Sequence, residues 1–200
     1  MKKLVLMAGL IALGTTASFA QSAYRFGVKA GLNVSNITGS DSRDQDTRLS
    51  FNGGLVAELP ISDKFSFQPE VIYSAQGSTI AAIDEDNFLD IDENIEYQLD
   101  YIQVPLLAKI YLVDGLSLQA GPSINFLVNE EVDYQPVSNG GDVNIVDGAN
   151  TFELGTAAGL EYQFDSGFFI QGRYTRGFTR IYDNVNAYNY AVQAGVGYVF

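Results

Sequence analysis

Residues 24–35 read Tyr-Arg-Phe-Gly-Val-Lys-Ala-Gly-Leu-Asn-Val-Ser, and apolar and polar side chains alternate along them. Because successive side chains of a β-strand point to opposite faces of a sheet, this alternation predicts a strand with one apolar and one polar face. The pattern recurs in seven further segments, which are 49–59, 65–73, 95–112, 116–128, 152–164, 168–174 and 188–200. The sequence therefore predicts an all-β chain with eight strands.

The connections between these segments alternate in length. The short ones contain the Gly or Pro of tight hairpins, and they are residues 60–64, 113–115 and 165–167. The longer ones are residues 38–48, 78–94, 130–150 and 180–186. Short turns at one end and long loops at the other predict an eight-stranded antiparallel up-and-down β-barrel.

The fourth segment changes phase part-way along. Its apolar residues occupy odd positions from Ile95 to Tyr101 and even positions from Ile102 to Ile110. A phase slip of one residue predicts a β-bulge in this strand, next to Tyr101.

The polar face is rich in glycine, which indicates where it points. Glycine inside a strand costs stability and is tolerated where space is short, so this face is predicted to line a narrow interior. Its glycines are Gly27, Gly31, Gly54, Gly121, Gly155, Gly159, Gly195 and Gly197. The apolar face then meets lipid, which predicts an eight-stranded antiparallel up-and-down transmembrane β-barrel; a soluble lipocalin-like barrel would reverse the two faces. Aromatic residues near both strand ends favour interfacial girdles over the core of a β-sandwich.

The composition excludes several classes of function. The 200 residues include no Cys and no His, which excludes disulfides, thiolate metal sites and nucleophiles activated by His. The chain has 11 Lys and Arg against 24 Asp and Glu, and its net charge of −13 argues against nucleic acid as a partner. We therefore expect neither an enzyme nor a bound cofactor.

Residues 1–20 have the features of a secretory signal peptide. Two lysines precede an apolar stretch, 4–13, that is too short to span a bilayer as a helix. The small residues Ser18 and Ala20 stand before a plausible cleavage site. A single anchor helix is the alternative. The mature protein, residues 21–200, is predicted to form one outer-membrane barrel domain.

Eight charged side chains share the polar phase and are predicted to point into the barrel. The cations are Arg25, Lys29, Lys109 and Arg173, and the anions are Glu58, Glu70, Glu153 and Glu161. Because the interior of such a barrel is just wide enough for side chains to fill, these charges are expected to pair as a structural plug. The alternatives are a narrow gated passage or proton pathway, and acid–base catalysis by Glu153 and Glu161, which would need a substrate cleft.

The predicted long loops hold most of the acidic residues. Solvation is their simplest role, and bridging by divalent cations is the alternative. The candidate calcium ligands are Asp84, Asp86, Asp90 and Asp92. Residues 142–148 match a calcium loop only in part, so no metal site is predicted from spacing. Arg176 and Arg180 are expected to pair with lipid phosphates or with these acidic loops.

Three phrases of the sequence resemble one family of membrane barrels. They are residues 65–77 (Phe-Ser-Phe-Gln-Pro-Glu-Val-Ile-Tyr-Ser-Ala-Gln-Gly), residues 101–109 (Tyr-Ile-Gln-Val-Pro-Leu-Leu-Ala-Lys) and Tyr198-Val-Phe200. With the signal peptide and the strand pattern, they are similar to the PorT-type outer-membrane β-barrels, which are small OmpA/OmpX-like barrels. The resemblance covers the mature chain and implies an outer-membrane location. The namesake of the family is associated with a protein secretion apparatus.

The last predicted strand ends on Tyr198 and Phe200, which resemble the signal read by the barrel-assembly machinery, although an ordinary strand would show the same alternation. The expected partners are outer-membrane lipid, this machinery during insertion, and an unidentified surface or periplasmic protein. The leading hypothesis is a structural or interaction barrel that acts through its long acidic loops. A small channel and a component of a secretion apparatus are the alternatives.

Overall fold

The computed structural model describes residues 24–40, 46–80, 95–133, 143–144, 148–183 and 186–200. These residues form nine strands, which are β1 (Arg25–Thr38), β2 (Asp46–Ser62), β3 (Phe65–Ile80), β4 (Ile95–Val113), β5 (Leu116–Asp133), β6 (Val143–Asn144), β7 (Phe152–Gln163), β8 (Phe168–Gly177) and β9 (Tyr188–Val199). No described segment is a helix long and apolar enough to cross a membrane. The predicted signal peptide, residues 1–20, lies outside the described residues.

The long strands close into a ring. Neighbouring strands are antiparallel, and the order around the ring is β4, β3, β2, β1, β9, β8, β7, β5, with β5 paired again to β4. The two residues of β6 pair only with β5. The described residues therefore form a closed eight-stranded antiparallel barrel, which confirms the predicted fold class. Closure pairs the backbone groups of every long strand on both edges.

Short turns join the strands at one end of the barrel, called here the turn end; the opposite end is the loop end. Gly115 and Gly167 supply positive φ angles of 78° and 89° in two of these turns. Residues with a side chain rarely adopt this left-handed conformation, which explains the glycines. At the loop end, β2, β3 and β5 extend several residues into segments predicted as loops, because their backbone groups remain paired.

The predicted β-bulge lies on the neighbouring strand. Odd-numbered residues of β4, including Leu99 and Tyr101, stay buried along the strand, so β4 keeps one phase. In the β4–β5 ladder, Asp100 pairs with Asn129 and Tyr101 with Leu127, which leaves Val128 as the extra residue on β5. The prediction of a bulge in β4 was therefore wrong. The apolar residues change position there because the lining of the interior becomes apolar at the loop end.

The outer face of the barrel is apolar. Leu32, Phe51 and Val196 lie on it and are 56%, 58% and 58% exposed. Apolar side chains exposed around a closed ring need a hydrocarbon environment, as the sequence predicted.

Aromatic pairs mark both ends of the outer face. At the loop end they are Phe51–Tyr73, Phe126–Phe152 and Tyr174–Tyr190. At the turn end they are Tyr162–Phe164, Phe168–Tyr198 and Tyr198–Phe200. Amphipathic rings favour the boundary between hydrocarbon and water, so these two girdles mark the membrane interfaces.

The glycine-rich face lines the interior, where space is short. A Cβ on Gly121 would lie 2.0 Å from the carbonyl oxygen of Leu106, and one on Gly197 would lie 2.2 Å from Cζ of Phe169. Phe169 packs with Val56 and Val199 in a small apolar cluster inside the barrel. Glycine therefore gives room both to neighbouring strands and to a large side chain.

Candidate functional site: the barrel interior

A network of charged side chains fills the interior nearer the turn end. Arg173 on β8 donates to Glu70 on β3 through both terminal nitrogens, with Nη1–Oε2 and Nη2–Oε1 distances of 2.6 and 2.8 Å. Lys29 on β1 also donates to Glu70, at 2.8 Å from Nζ to Oε2. All three side chains are buried. Since a buried charge without a partner is strongly destabilising, the two cations and the carboxylate depend on one another.

A second group of charges surrounds Lys109 on β4. Its ammonium donates to Glu58 on β2 at 3.0 Å and to Glu161 on β7 at 2.6 Å. Arg25 and Tyr111 both donate to the other oxygen of Glu58, Oε1. The ammonium of Lys109 is thereby held between two carboxylates and is itself buried.

Two glutamines join the two groups into one network. Gln119 on β5 accepts a hydrogen bond from Arg173 at 2.8 Å and donates one to Glu161 at 2.7 Å. Gln68 on β3 accepts a hydrogen bond from Gln119 at 3.4 Å and donates one to Glu70 at 2.8 Å. A count of charged residues in the sequence does not find either glutamine. Their position in the inward phase of β3 and β5 was the signal that could have found them.

Seven of the eight predicted interior charges meet in this network, and Glu153 does not. Glu153 and Glu161 lie near opposite ends of β7, about 26 Å apart along the strand. The Glu153 carboxylate accepts a hydrogen bond from Asn125 at 2.6 Å, and no cation of the described chain lies within ion-pair distance. The structure thus differs from the predicted four-against-four pairing, and the two carboxylates are too far apart to act on one substrate.

Glu153 depends on a glycine of the neighbouring strand. A Cβ on Gly177 of β8 would lie 2.4 Å from Oε2 of Glu153. The carboxylate therefore occupies the space that a side chain at position 177 would need.

Neutral polar side chains line the interior between the network and the loop end. Asn52 donates to Asn33 at 2.6 Å, and Asn33 donates to Ser74 at 3.0 Å. Gln76 also donates to Ser74 at 3.0 Å and accepts from Asn189 at 2.5 Å. Hydrogen bonds connect the strands at this level, and beside Gln76 an ion pair of 2.9 Å also joins Arg48 on β2 to Glu96 on β4.

A cap closes the interior at the loop end. Its core consists of the buried residues Ile37, Leu99, Tyr101, Ile181 and Ala187. Beside this core, Tyr97 and Tyr182 both donate to Oε1 of Glu130, at 2.5 and 2.9 Å. The backbone N–H of Ala149 donates to the other oxygen of Glu130 at 2.7 Å. One carboxylate thus ties strands β4 and β5 to residues of two connecting segments.

The protonation of Tyr182, which lies outside the membrane-spanning strands, suits its role in the cap. Burial, together with the Glu130 carboxylate that accepts its hydrogen bond, raises the pKa of the Tyr182 hydroxyl to about 12. The hydroxyl therefore stays protonated at neutral pH and can donate to Glu130.

The turn end of the barrel is open as a basin of about 640 Å³. The turns at 60–64 and 111–115 form its walls, and Arg25 and Ser66 contribute to its lining. Because Arg25 is paired with Glu58 there, the basin leads to the charged network.

The predicted assembly-signal residues lie in the turn-end girdle. The ring of Tyr198 packs edge-on against Phe168 and Phe200, with centroid distances of 5.0 and 5.7 Å. Phe200 is exposed, and its backbone N–H donates to the carbonyl oxygen of Phe26 at 2.7 Å.

The candidate calcium ligands belong to the second of the predicted long loops. Asp84, Asp86, Asp90 and Asp92, like most of residues 142–148, lie outside the described residues. Within the described ranges, no group of three or more acidic residues could hold a metal ion.

The family model for the outer membrane protein beta-barrel domain matches residues 19–183. The chain belongs to this family. The closed ring with its apolar outer face is thus an outer-membrane barrel. In such barrels the short turns lie on the periplasmic side and the longer loops lie outside the cell, which assigns the two ends.

Two similar solved structures show the same fold at low sequence identity. Neisserial surface protein A (NspA) has a TM-score of 0.59 and 16% identity, with 88% of this chain and 97% of that chain covered. Ail, the attachment invasion locus protein of Yersinia pestis, has a TM-score of 0.54 and 13% identity, with 88% and 99% covered. None of the curated proteins matches the sequence. At these identities the likeness shows the fold alone.

Proposed function

We propose that this outer-membrane barrel is a non-catalytic structural or interaction protein, with a closed interior and extracellular loops that make the contacts. The observation that carries the proposal is the layered filling of the interior. The charged network, the neutral polar side chains and the cap follow one another from the turn end to the loop end. A barrel filled along its length offers no wide path for solutes. The loops that project from it are therefore the parts that can contact other molecules.

The loop end supplies a rigid base for such contacts. The carbonyl of Ile181 accepts from the backbone N–H of Asn150 at 2.7 Å, and the N–H of Ile181 donates to Ala187 at 2.9 Å. With the bonds of Glu130 to Ala149 and Tyr182, these tie the bases of two loops together over the cap. Loops held on a fixed rim can present a preorganised surface. The acidic residues predicted for the loops would make this surface attract cationic groups.

The similar solved barrels bear names that refer to a surface protein and to attachment and invasion. These names describe those proteins, and a surface role for this chain is our proposal. We also propose a PorT-type relationship, since residues 65–77 and 101–109 resemble that group. This relationship would favour a component of a secretion apparatus as the alternative function, with a partner at the periplasmic turn end.

A narrow passage is a second candidate, because some buried polar atoms of the described interior have no hydrogen-bond partner. They are Oδ1 of Asn52, Oγ of Ser78, Oδ1 of Asn189, and both side-chain polar atoms of Gln193. Buried polar groups are usually paired with protein or with ordered water, so these groups favour a hydrated layer. Such a layer would conduct ions across the membrane only if the charged network and the cap both opened.

Recording in planar lipid bilayers tests the closed interior. We expect refolded wild-type barrel to show few or no conductance steps. The double variant Arg173→Ala/Tyr101→Ala opens the network and the cap together and serves as the positive control. Stable wild-type conductance would contradict the closed interior and support the passage.

Crosslinking in cells tests the loops as the contact surface. A photoreactive residue is placed at Asp183, which is exposed at the loop end, or at Lys64, which is exposed in a turn. If the loops make the contacts, we expect recurrent protein adducts from position 183 and few from position 64. Adducts confined to position 64 would contradict it and favour the secretion alternative.

A further inference from the structure

Aromatic and basic side chains alternate along the outward face of β8 and of the residues that follow it. Tyr174, Arg176, Phe178 and Arg180 are all exposed. Thr175, Gly177 and Ile181 beside them are buried, so the exposed set keeps to one side of the chain. We call Tyr174, Arg176, Phe178 and Arg180 the β8 ladder.

The β8 ladder is held in place beyond the end of the strand. The backbone N–H of Phe178 donates to the carbonyl of Leu154 at 2.8 Å, and the N–H of Leu154 donates to the hydroxyl of Thr179 at 2.9 Å. The carbonyl of Arg180 accepts from Asn150 at 3.1 Å. These bonds fix the backbone that carries both arginines, so their side chains start from a defined position.

The β8 ladder crosses the outer membrane interface. Tyr174 belongs to the loop-end girdle, where its ring lies 6.2 Å from that of Tyr190. Arg176 lies opposite Tyr190 where β8 pairs with β9. It is two residues, or about 7 Å, farther toward the loop end than Tyr174. Side chains just beyond an aromatic girdle reach the level of the lipid headgroups.

Neither Arg176 nor Arg180 pairs with a carboxylate of the described chain, whereas most other described basic residues do. Arg25, Lys29, Arg48, Lys109 and Arg173 all form ion pairs. Arg176 forms no ion pair with any residue the structure describes, and Arg180 donates only to the backbone carbonyl of Asp183, at 3.2 Å. Two exposed guanidinium groups thus have no described carboxylate partner in a chain with a net charge of −13, and that of Arg176 lies at the headgroup level.

We propose that the β8 ladder is a binding site for a phosphorylated lipid of the outer leaflet. A guanidinium can donate two parallel hydrogen bonds to one phosphate, and Arg176 and Arg180 together can hold two such groups or one from both sides. Tyr174, which lies in the girdle, supplies apolar surface for the adjoining acyl chains. A ring in the girdle with guanidinium groups beyond it therefore matches a ligand with a phosphate head and a hydrocarbon body.

Native mass spectrometry of the refolded barrel in detergent tests this site. The probes are diphosphoryl lipid A and the same lipid after removal of its phosphates. A basic residue near an anionic headgroup is worth about fivefold in affinity. We expect wild type to prefer the phosphorylated lipid and the variant Arg176→Gln/Arg180→Gln to bind it about twenty-five-fold more weakly.

Control variants test whether the preference for the phosphorylated lipid belongs to the two arginines. Lys64→Gln removes an exposed charge at the turn end and should bind like wild type. Each single arginine variant should lose about fivefold, and heat-dependent gel mobility verifies that it is folded. Equal binding of the two lipids, or unchanged binding by the double variant, would overturn the site. Displacement of the lipid by millimolar inorganic phosphate would show that the site binds phosphate and is not specific for a lipid.

Discussion

Arg173 and Glu70 meet across the full width of the barrel. Their strands, β8 and β3, lie four places apart in either direction around the ring. The Nη1–Oε2 and Nη2–Oε1 distances are nevertheless 2.6 and 2.8 Å. Because a planar guanidinium and a carboxylate form two parallel bonds only in a narrow range of orientations, this pair holds opposite walls of the barrel at a defined separation.

Removing the charge of Glu161 should destabilise the barrel far more than removing that of Glu153. In Glu161→Gln, buried Lys109 loses one of its two carboxylates, and we expect a loss of roughly 3 kcal/mol in the free energy of unfolding. In Glu153→Gln no described cation loses a partner, and Asn125 can still donate to the amide oxygen. Urea titration in lipid vesicles measures both variants, and equal losses would contradict the network as a stabilising element.

Adding a methyl group should be costly at Gly121 and harmless at Gly172. A Cβ at position 121 would lie 2.0 Å from a backbone oxygen, whereas nothing lies within 4 Å of one at position 172. We expect Gly121→Ala to lose about 1 to 3 kcal/mol of unfolding free energy and Gly172→Ala to stay within about 0.5 kcal/mol of wild type. The same urea titration applies. A stable Gly121→Ala barrel would show that the strands can move apart at no cost.

The cap should loosen in alkaline solution. The pKa of Tyr182 is about 12 in the folded protein and about 10 in the unfolded chain, so folding favours the protonated hydroxyl. Its contribution to stability is complete below pH of about 10 and is lost as the pH rises toward about 12. Unfolding free energies measured across this range should fall more steeply for wild type than for Tyr182→Phe. Identical slopes would show that Tyr182 ionises as freely in the cap as in water.

A charge at Phe200 should reduce membrane assembly more than the same charge at Phe26. Both residues are exposed, and they meet through a backbone hydrogen bond at the turn end. A charged side chain near the interface costs only about 0 to 1 kcal/mol, so the lipid effect should be similar and small. If Phe200 is read as an assembly signal, Phe200→Asp alone should lower the amount of barrel in outer-membrane fractions. Equal amounts for both variants would show that it is not read.

Much of the fold could be predicted because apolar and polar residues alternate within the sequence of each strand, independently of the other strands. The strand patterns that include Val28, Leu118 and Ile170 each show one apolar side, and all three residues are exposed on the outer face. The same rule fails for Leu99 and Tyr101, which are apolar and buried inside. Alternation reports which residues share a side, but it does not report that the interior becomes apolar under the cap.

The interior could be predicted only in part. The alternation along a strand identifies which residues point inward, but it does not give their positions along the barrel axis. Glu153 and Glu161 share one phase on one strand, yet only Glu161 meets a cation in the described interior. Gln119 joins the two halves of the network, and no count of charges points to it.

The sequence by itself determined the number of long strands, their antiparallel order and the lipid-facing side. Each of these follows from side-chain alternation and connection length, which are local properties of the chain. Only the tertiary structure decided that Arg173 reaches Glu70, that the bulge falls at Val128, and that Glu130 anchors the cap. These contacts join residues far apart in the chain, and they depend on strand register and ring closure, which fix the height of each side chain inside the barrel.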